Sequence, residues 1–350
     1  MNNSEEIVPL TLDAGDMQKE NLMHMVFNVN NITQMRNEMD SSDGSPESVH
    51  FQQENLNDHD DDYIEWSLIG ENLILKRQEF RQQIDLYKSY SNHHHSITRL
   101  LTEIIDYYIK EYLAHEEHFS ADQINRLEQY FQKAIKEKNY LKYFVLAFTS
   151  HYDFFHVLNK HLALHILDYF DLYAYSSVTK GYRLINCLVY IVTLLIHHPD
   201  FEKYQYKGIT YRGLIMTENT LEQYSIGNQV LNRAFVSTSK NRAIAELFAC
   251  IDEQNVLEQT SDARGVKKVP VLLRYTIKQN QTAINITNLS KISDEEEVLI
   301  LPFSVFQVKH RTNNCLNIHA AKLIEIELEE CEDGEQINNE EQAGKRCSEI

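Results

Sequence analysis

The stretch SDEEEVLILP, residues 293–302, sets three consecutive glutamates directly against Val298, Leu299, Ile300 and Leu301. A short aliphatic run ending at a proline reads as a buried strand. A solvated acidic face does not explain the charges, because like charges at the mouth of a buried strand repel and lose hydration. Side chains alternate along a strand with a period of two, which places Glu295 and Glu297 on one face, roughly 6–7 Å apart, and Glu296 on the other. Two carboxylates so placed tend to raise one pKa, a pairing suited to acid/base work or to stabilising a cation at a sugar-like centre.

Outward from this stretch, short β-prone pieces dominate the second half of the chain: GITYRGL (208–214), RAFVSTS (233–239), KVPVLLRYTI (268–277), TAINI (282–286), EEVLILP (296–302), FSVFQVKH (303–310) and AAKLIEIEL (320–328). One helix, NRAIAELFAC at 241–250, interrupts them. Before Gly208 the period is helical, in ITRLLTEIIDYYIKEYL (97–113), in INRLEQYFQKAI (124–135) and through residues 150–198. In SADQ (120–123), Ser120 is placed to cap a helix with Gln123 three residues on. Helices first and then many short strands predict an α+β fold with a mixed or antiparallel sheet, not a repeating βαβ unit.

Residues 1–62 are rich in Asn, Asp, Glu, Ser and Gln and end in NDHDDD, a composition that cannot offset its ordering entropy, so a disordered acidic N-terminal segment is expected. Residues 63–144 read as a helical lead-in, 145–328 as the domain that carries the strands, and 329–350 as a disordered acidic tail. The run LINCLVYIVTLLI (184–196) is too short for a bilayer, which needs about 20 residues, and reads as a buried helix. The start, MNNSEEIVPLTLDAG, shows no basic region followed by an apolar core, so a cytoplasmic location is expected. The formal net charge of −19 argues against non-specific nucleic-acid binding, which needs a lysine- and arginine-rich surface. The five cysteines, at 187, 250, 315, 331 and 347, show neither a disulfide framework nor metal-ligand spacing. His93, His94 and His95 read as part of a polar loop, and the sequons at Asn285 and Asn288 as idle.

Two further strand edges carry chemistry-bearing residues. Arg212 sits in the β-branched context of ITYRGL, where its guanidinium can fork onto phosphate or carboxylate, and Gly213 after it lets a ligand approach the backbone. A strand arginine is more often a surface or ion-paired residue, so this edge alone decides little. In AFVSTSKNRAIAELFA the strand ends on Ser237, Thr238 and Ser239 and runs into the helix. Capping accounts for Ser239 or Asn241 but not for a hydroxyl at Ser237, in phase with Phe235.

Taken together, YRG (211–213), FVSTS (235–239) and EEEVLILP (295–302) resemble, in type and order, the R-S-E signature of the arginine-specific mono-ADP-ribosyltransferases, the cholera-toxin-like clade that includes the vertebrate ecto-enzymes. HYDFFHVLNKHLA (151–163), YRLINCLVY (182–190) and FSVFQV (303–308) are also similar to that family, and the resemblance covers about residues 145–328. It implies the family's split-sheet ADP-ribosyltransferase fold, NAD+ as co-substrate with no metal, and a protein substrate bearing an accessible arginine. By the same resemblance Arg212 anchors the pyrophosphate and nicotinamide-ribose side of NAD+, and the Gly213 backbone bonds the nicotinamide amide. Ser237, with Thr238 and Ser239 beside it, holds the nicotinamide ribose and orients Glu297. Glu297 accepts the ribose 2′-OH and stabilises the sugar cation, while Glu295 directs transfer to the guanidinium. The chain departs from the family at Ile292, where an aromatic is usual, and at Ser293, where a proline is common, which bears on target choice. The expectations are therefore an NAD+-dependent arginine mono-ADP-ribosyltransferase acting as a monomer without membrane or nucleic acid, with an NAD+ glycohydrolase or a non-catalytic NAD-binding scaffold as alternatives.

Overall fold

A computed structural model of the chain describes residues 66–68, 94–116, 119–150, 152–167, 182–249, 268–291, 295–315 and 322–331. The acidic segment 1–62, His93, Ile292, Ser293 and nearly all of the tail 329–350 lie outside the described residues.

The helical period before Gly208 becomes helices at His94–Glu103, Ala121–Glu137, Tyr140–Ser150, Tyr152–His165 and Tyr182–Ile196. His94 and His95 open the first of these and do not lie in a loop. That helix runs on as a π-helix, Ile104–Tyr112, whose wider turn brings Ile104, Ile105, Tyr108 and Ile109 all into the core. The Ala121–Glu137 helix starts at the signal in SADQ: the Gln123 N–H donates to the Ser120 hydroxyl at 3.3 Å, and the Ser120 N–H donates to Gln123 Oε1 at 2.8 Å. Tyr182–Ile196 is buried along most of its length, and among the described residues no helix is long and apolar enough to cross a membrane.

The strands form one nine-stranded mixed sheet among the described residues: β1 (Trp66–Leu68), β2 (Gly208–Thr217), β3 (Gln229–Asn232), β4 (Val236–Ser239), β5 (Lys268–Ile277), β6 (Ala283–Asn285), β7 (Glu297–Ile300), β8 (Val305–Cys315) and β9 (Lys322–Glu330), ordered β1-β3-β8-β9-β5-β2-β4-β7-β6. Every pairing is antiparallel except β5 with β9. β2 pairs with β5 along its whole length, from Gly208 opposite Ile277 to Thr217 opposite Lys268. It meets β4 through one residue pair, Tyr211 with Ser239. This narrow seam divides the sheet into a six-strand part and the three-strand part β4-β7-β6.

β5 has the expected bounds, and β9 continues past residue 328, so Glu329 and Glu330 belong to the sheet and not to an acidic tail. Glu330 is buried and its carboxylate accepts the N–H groups of Lys278 and Gln279 at 2.6 and 2.9 Å, which satisfies the charge. β1 and β3 are not among the expected strands, and β1 lies within the segment 63–144 read as a helical lead-in, which thus supplies a strand of the sheet.

One core joins helices and sheet. Phe235, just before β4, is fully buried, with ring centroids 5.4 Å from Phe144 and 5.6 Å from Phe148. Asn159 on the Tyr152–His165 helix grips the same residue by its backbone. Its Nδ2 donates to the Phe235 carbonyl and its Oδ1 accepts the Phe235 N–H, both at 3.1 Å. The side-chain amide thus supplies Phe235 with the pairing that a neighbouring strand would give. Asn159→Ala is expected to strand both backbone groups out of water and to lower stability by about 2 kcal/mol, read from urea denaturation midpoints at unchanged slope.

Candidate active site

β4 and β7 set the predicted residues beside each other. Val236 faces Ile300, Ser237 faces Leu299, Thr238 faces Val298 and Ser239 faces Glu297. Ser237, Ser239 and Glu297 therefore share one face, and Thr238 lies on the other. Ser237 reaches Glu297 along the diagonal of this ladder and donates to its carboxylate at 2.6 Å, short enough for a charge-assisted bond.

Glu297 is 6% exposed. Burial raises its pKa above the ordinary carboxylate value, and hydrogen bonds from Ser237 and Ser290 pull it part of the way back. Ser290 belongs to the turn that follows β6, and sequence reasoning missed it. Its one sequence signal is a serine shortly before the glutamates, which is too common to single out. Glu295 is half-buried, and its pKa is pushed up to about 7, first by burial and then by the Glu297 charge.

The reason these two carboxylates meet differs from the strand alternation expected of them. β7 begins only at Glu297, and Glu296 takes a left-handed backbone with φ 46°. The acidic run is thus a corner and not a strand. The Glu296 carboxylate does turn aside, to 3.8 Å from Lys240 Nζ.

The remaining hydroxyls hold the frame. Thr238 donates to the Val298 carbonyl at 2.6 Å and lies 2.7 Å from the hydroxyl of Thr210 on β2, tying the seam. Ser239 donates to the Glu295 carbonyl at 2.6 Å and accepts the Asn241 N–H at 3.0 Å, closing the turn into the helix. Both side chains are buried.

Arg212 lies on β2, half-buried, next to Tyr211, whose partner Ser239 is in turn the partner of Glu297. Tyr211, not Arg212, is thus in register with Glu297, and by strand alternation Arg212 lies on the opposite face of β2, with Thr210 and Thr238, so the register does not bring its guanidinium to the Glu297 carboxylate. Gly213 has another reason for being glycine than the ligand approach expected of it. A Cβ there would stand 1.7 Å from the carbonyl oxygen of Ala245 and 2.8 Å from the Ala249 nitrogen, so the space is taken by the backbone of the 242–249 helix. Helix and strand close together here and carry Arg242 over Tyr211, its guanidinium paired with the buried Glu325 at 2.8 Å. Among the described residues no three His, Cys, Asp or Glu side chains gather as a metal-binding group.

Over 112 residues the chain is 30% identical to a protein of Vibrio splendidus (strain 12B01) named "Putative NAD(+)--arginine ADP-ribosyltransferase Vis". That match spans 31% of this chain and 41% of the relative, so the chain aligns with less than half of the relative's length. Among solved structures it is similar to the Vis toxin, an ADP-ribosyltransferase from Vibrio splendidus, at 20% identity over 64% of this chain and 92% of that one, with a TM-score of 0.36. It is also similar to an N-terminally truncated type III effector, XopAI, from Xanthomonas axonopodis pv. citri, at 14% identity over 75% of this chain and 99% of that one, with a TM-score of 0.41. No family model matches the chain.

Proposed function

We propose that the chain transfers ADP-ribose from NAD+ to arginine side chains, releasing nicotinamide. The observation that carries this reading is the buried Glu297 carboxylate, held by Ser237 at 2.6 Å with Glu295 near enough for the two charges to interact. The Glu297 environment fits the sugar end of NAD+: a dry, fixed carboxylate suits a ribose on which positive charge develops.

In this reading Ser237 steadies Glu297 and the ribose, and Arg212 serves the diphosphate side from the edge of β2 beyond the seam. Glu297 lowers the barrier as the C1′–N bond breaks and its electron pair leaves with nicotinamide, because positive charge on the ribose peaks in that transition state. Glu295 then pairs with the incoming guanidinium and takes its proton as the new C1′–N bond forms. Thr238 and Ser239 contribute from behind, as the frame of the seam and of the Glu295 turn. The catalytic part begins at about 145 and runs to Glu330 at the end of β9, residues 63–144 supply β1 and helices that share its core, and the chain acts on an arginine-bearing protein.

The second reading, NAD+ glycohydrolase, draws support from the same pKa. With Glu295 titrating at about 7, the acceptor carboxylate is largely protonated in mildly acid solution, while water still intercepts the sugar. NAD+ and agmatine, a soluble guanidine, separate the two readings. ADP-ribosyl-agmatine is expected, its ratio to free ADP-ribose rising with pH through about 7. Glu295→Gln is expected to lower transfer about 10²-fold or more, within the range for an acid/base group, and to leave most NAD+ hydrolysis intact. Free ADP-ribose as the sole product of the wild-type chain would exclude the transferase. The raised pKa also costs stability as the pH climbs from the ordinary carboxylate value toward 7, since the folded chain holds a proton that the unfolded chain has released.

Ser237→Ala removes a hydrogen bond that favours the ionised form of Glu297, so the Glu297 pKa rises further. The acid limb of the pH profile for NAD+ hydrolysis is expected to move to higher pH by about one to two units, the equivalent of losing a hydrogen bond to a charge. An unmoved limb with a uniformly lower rate would assign Ser237 to ribose binding alone.

A further inference from the structure

Glu296, between the two acidic residues of the site, has the backbone that gives the acidic run its shape. Its φ of 46° lies in the left-handed region, which non-glycine residues adopt seldom and β-branched residues least of all. The carbonyls on either side of this corner, and its own, are pinned from separate elements. The Ser239 hydroxyl donates to the Glu295 carbonyl at 2.6 Å. The Lys240 N–H donates to the Glu296 carbonyl at 3.1 Å, and the Ile286 N–H donates to the Glu297 carbonyl at 3.0 Å. The chain is therefore held through three successive peptide groups in a conformation that the residue itself disfavours.

The Glu296 side chain has a lesser part. Its side chain is 47% exposed and its carboxylate lies 3.8 Å from Lys240 Nζ, a geometry in which a surface ion pair contributes little. A regular strand entrance would present Glu295 and Glu297 on one face at the spacing of alternate residues. Here β7 starts at Glu297, and the corner replaces that spacing.

We propose that Glu296 is a positioning residue: its left-handed backbone, and not its carboxylate, sets Glu295 against Glu297 and thereby the share of ADP-ribose that reaches a guanidine instead of water. This rests on the transferase reading above. Glycine and asparagine tolerate the left-handed region, alanine less so, and valine resists it. The site is thus sensitive to the branching of residue 296 and insensitive to its charge.

The test uses the full chain with NAD+ and agmatine, measuring ADP-ribosyl-agmatine and free ADP-ribose together, with kcat and KM for agmatine. E296G and E296N are expected to keep the wild-type product ratio within about threefold, whereas E296V lowers it about tenfold, through kcat more than KM for agmatine. E296A falls between them, so the rank order still decides if E296V does not fold. Loss of transfer in E296N equal to that in E296V would assign the role to the carboxylate and overturn the proposal. An E296V ratio equal to wild type, or folded variants without the rank order, would overturn it too. A wild-type chain that cleaves NAD+ and never modifies agmatine removes the transferase reading and this inference with it. A wild type that modifies agmatine beside an unaffected E296V removes the inference alone.

Discussion

Glu297→Gln is expected to lower NAD+ cleavage and arginine transfer together by about 10² to 10³, the loss that follows removal of one preorganised charge stabiliser. The substitution keeps the shape of the side chain and a group able to meet Ser237, so the fold around it has no cause to move. What disappears is the negative charge. In a site where Glu297 is 6% exposed, water cannot replace that charge, and a field that matters little in solution matters much here. Steady-state kinetics with NAD+ alone and with agmatine give both rates. The comparison with Glu295→Gln makes the result diagnostic: a carboxylate that acts on bond breaking removes both products, and one that acts on the acceptor removes one. Burial has already raised the Glu297 pKa, so the wild-type rate is expected to fall in acid as the carboxylate gains a proton. Glu297→Gln should flatten that limb at the low level. Equal rates for Glu297→Gln and wild type would separate the buried carboxylate from the chemistry altogether.

Much of this arrangement is legible in the sequence where local physics decides it. Ser120 and Gln123 form their capping box because both partners lie within one turn, and β5 takes its bounds from a run rich in β-branched and aromatic residues that continues across Pro270. The order of Arg212, Ser237 and Glu297 is legible because each sits in a short motif of restricted composition. Contacts between distant segments are not legible. Nothing near Asn159 announces that its amide will hold Phe235, seventy-six residues away, although an asparagine inside FFHVLNKHLAL hints at a buried polar group with a partner. The acidic run shows the limit most clearly. Alternation predicts that Glu295 and Glu297 share a site and Glu296 does not, and the side chains do sort that way, but through a left-handed corner pinned by Ser239, Lys240 and Ile286. The local period of two is overridden by three hydrogen bonds from elsewhere in the chain.

Gly213→Ala is expected to destabilise the protein by more than about 3 kcal/mol, beyond the common range for overpacking. The new methyl would begin 1.7 Å from the Ala245 carbonyl oxygen and 2.8 Å from the Ala249 nitrogen, both backbone atoms that cannot turn aside as a flexible side chain could. The 242–249 helix would have to lift from β2. That movement would strain the link between Arg242 and the buried Glu325, and the tether through Ser239 and Asn241 that closes the turn behind Glu295. Stability and activity are therefore expected to fall together, unlike in Glu297→Gln, where activity falls alone. A paired change separates the two causes: Ala245→Gly leaves the obstructing carbonyl in place, so it should not rescue Gly213→Ala, because the clash is with the main chain. Urea denaturation of the single and double variants measures this, and rescue by Ala245→Gly would show that the helix side chain, not its backbone, demands a glycine at position 213.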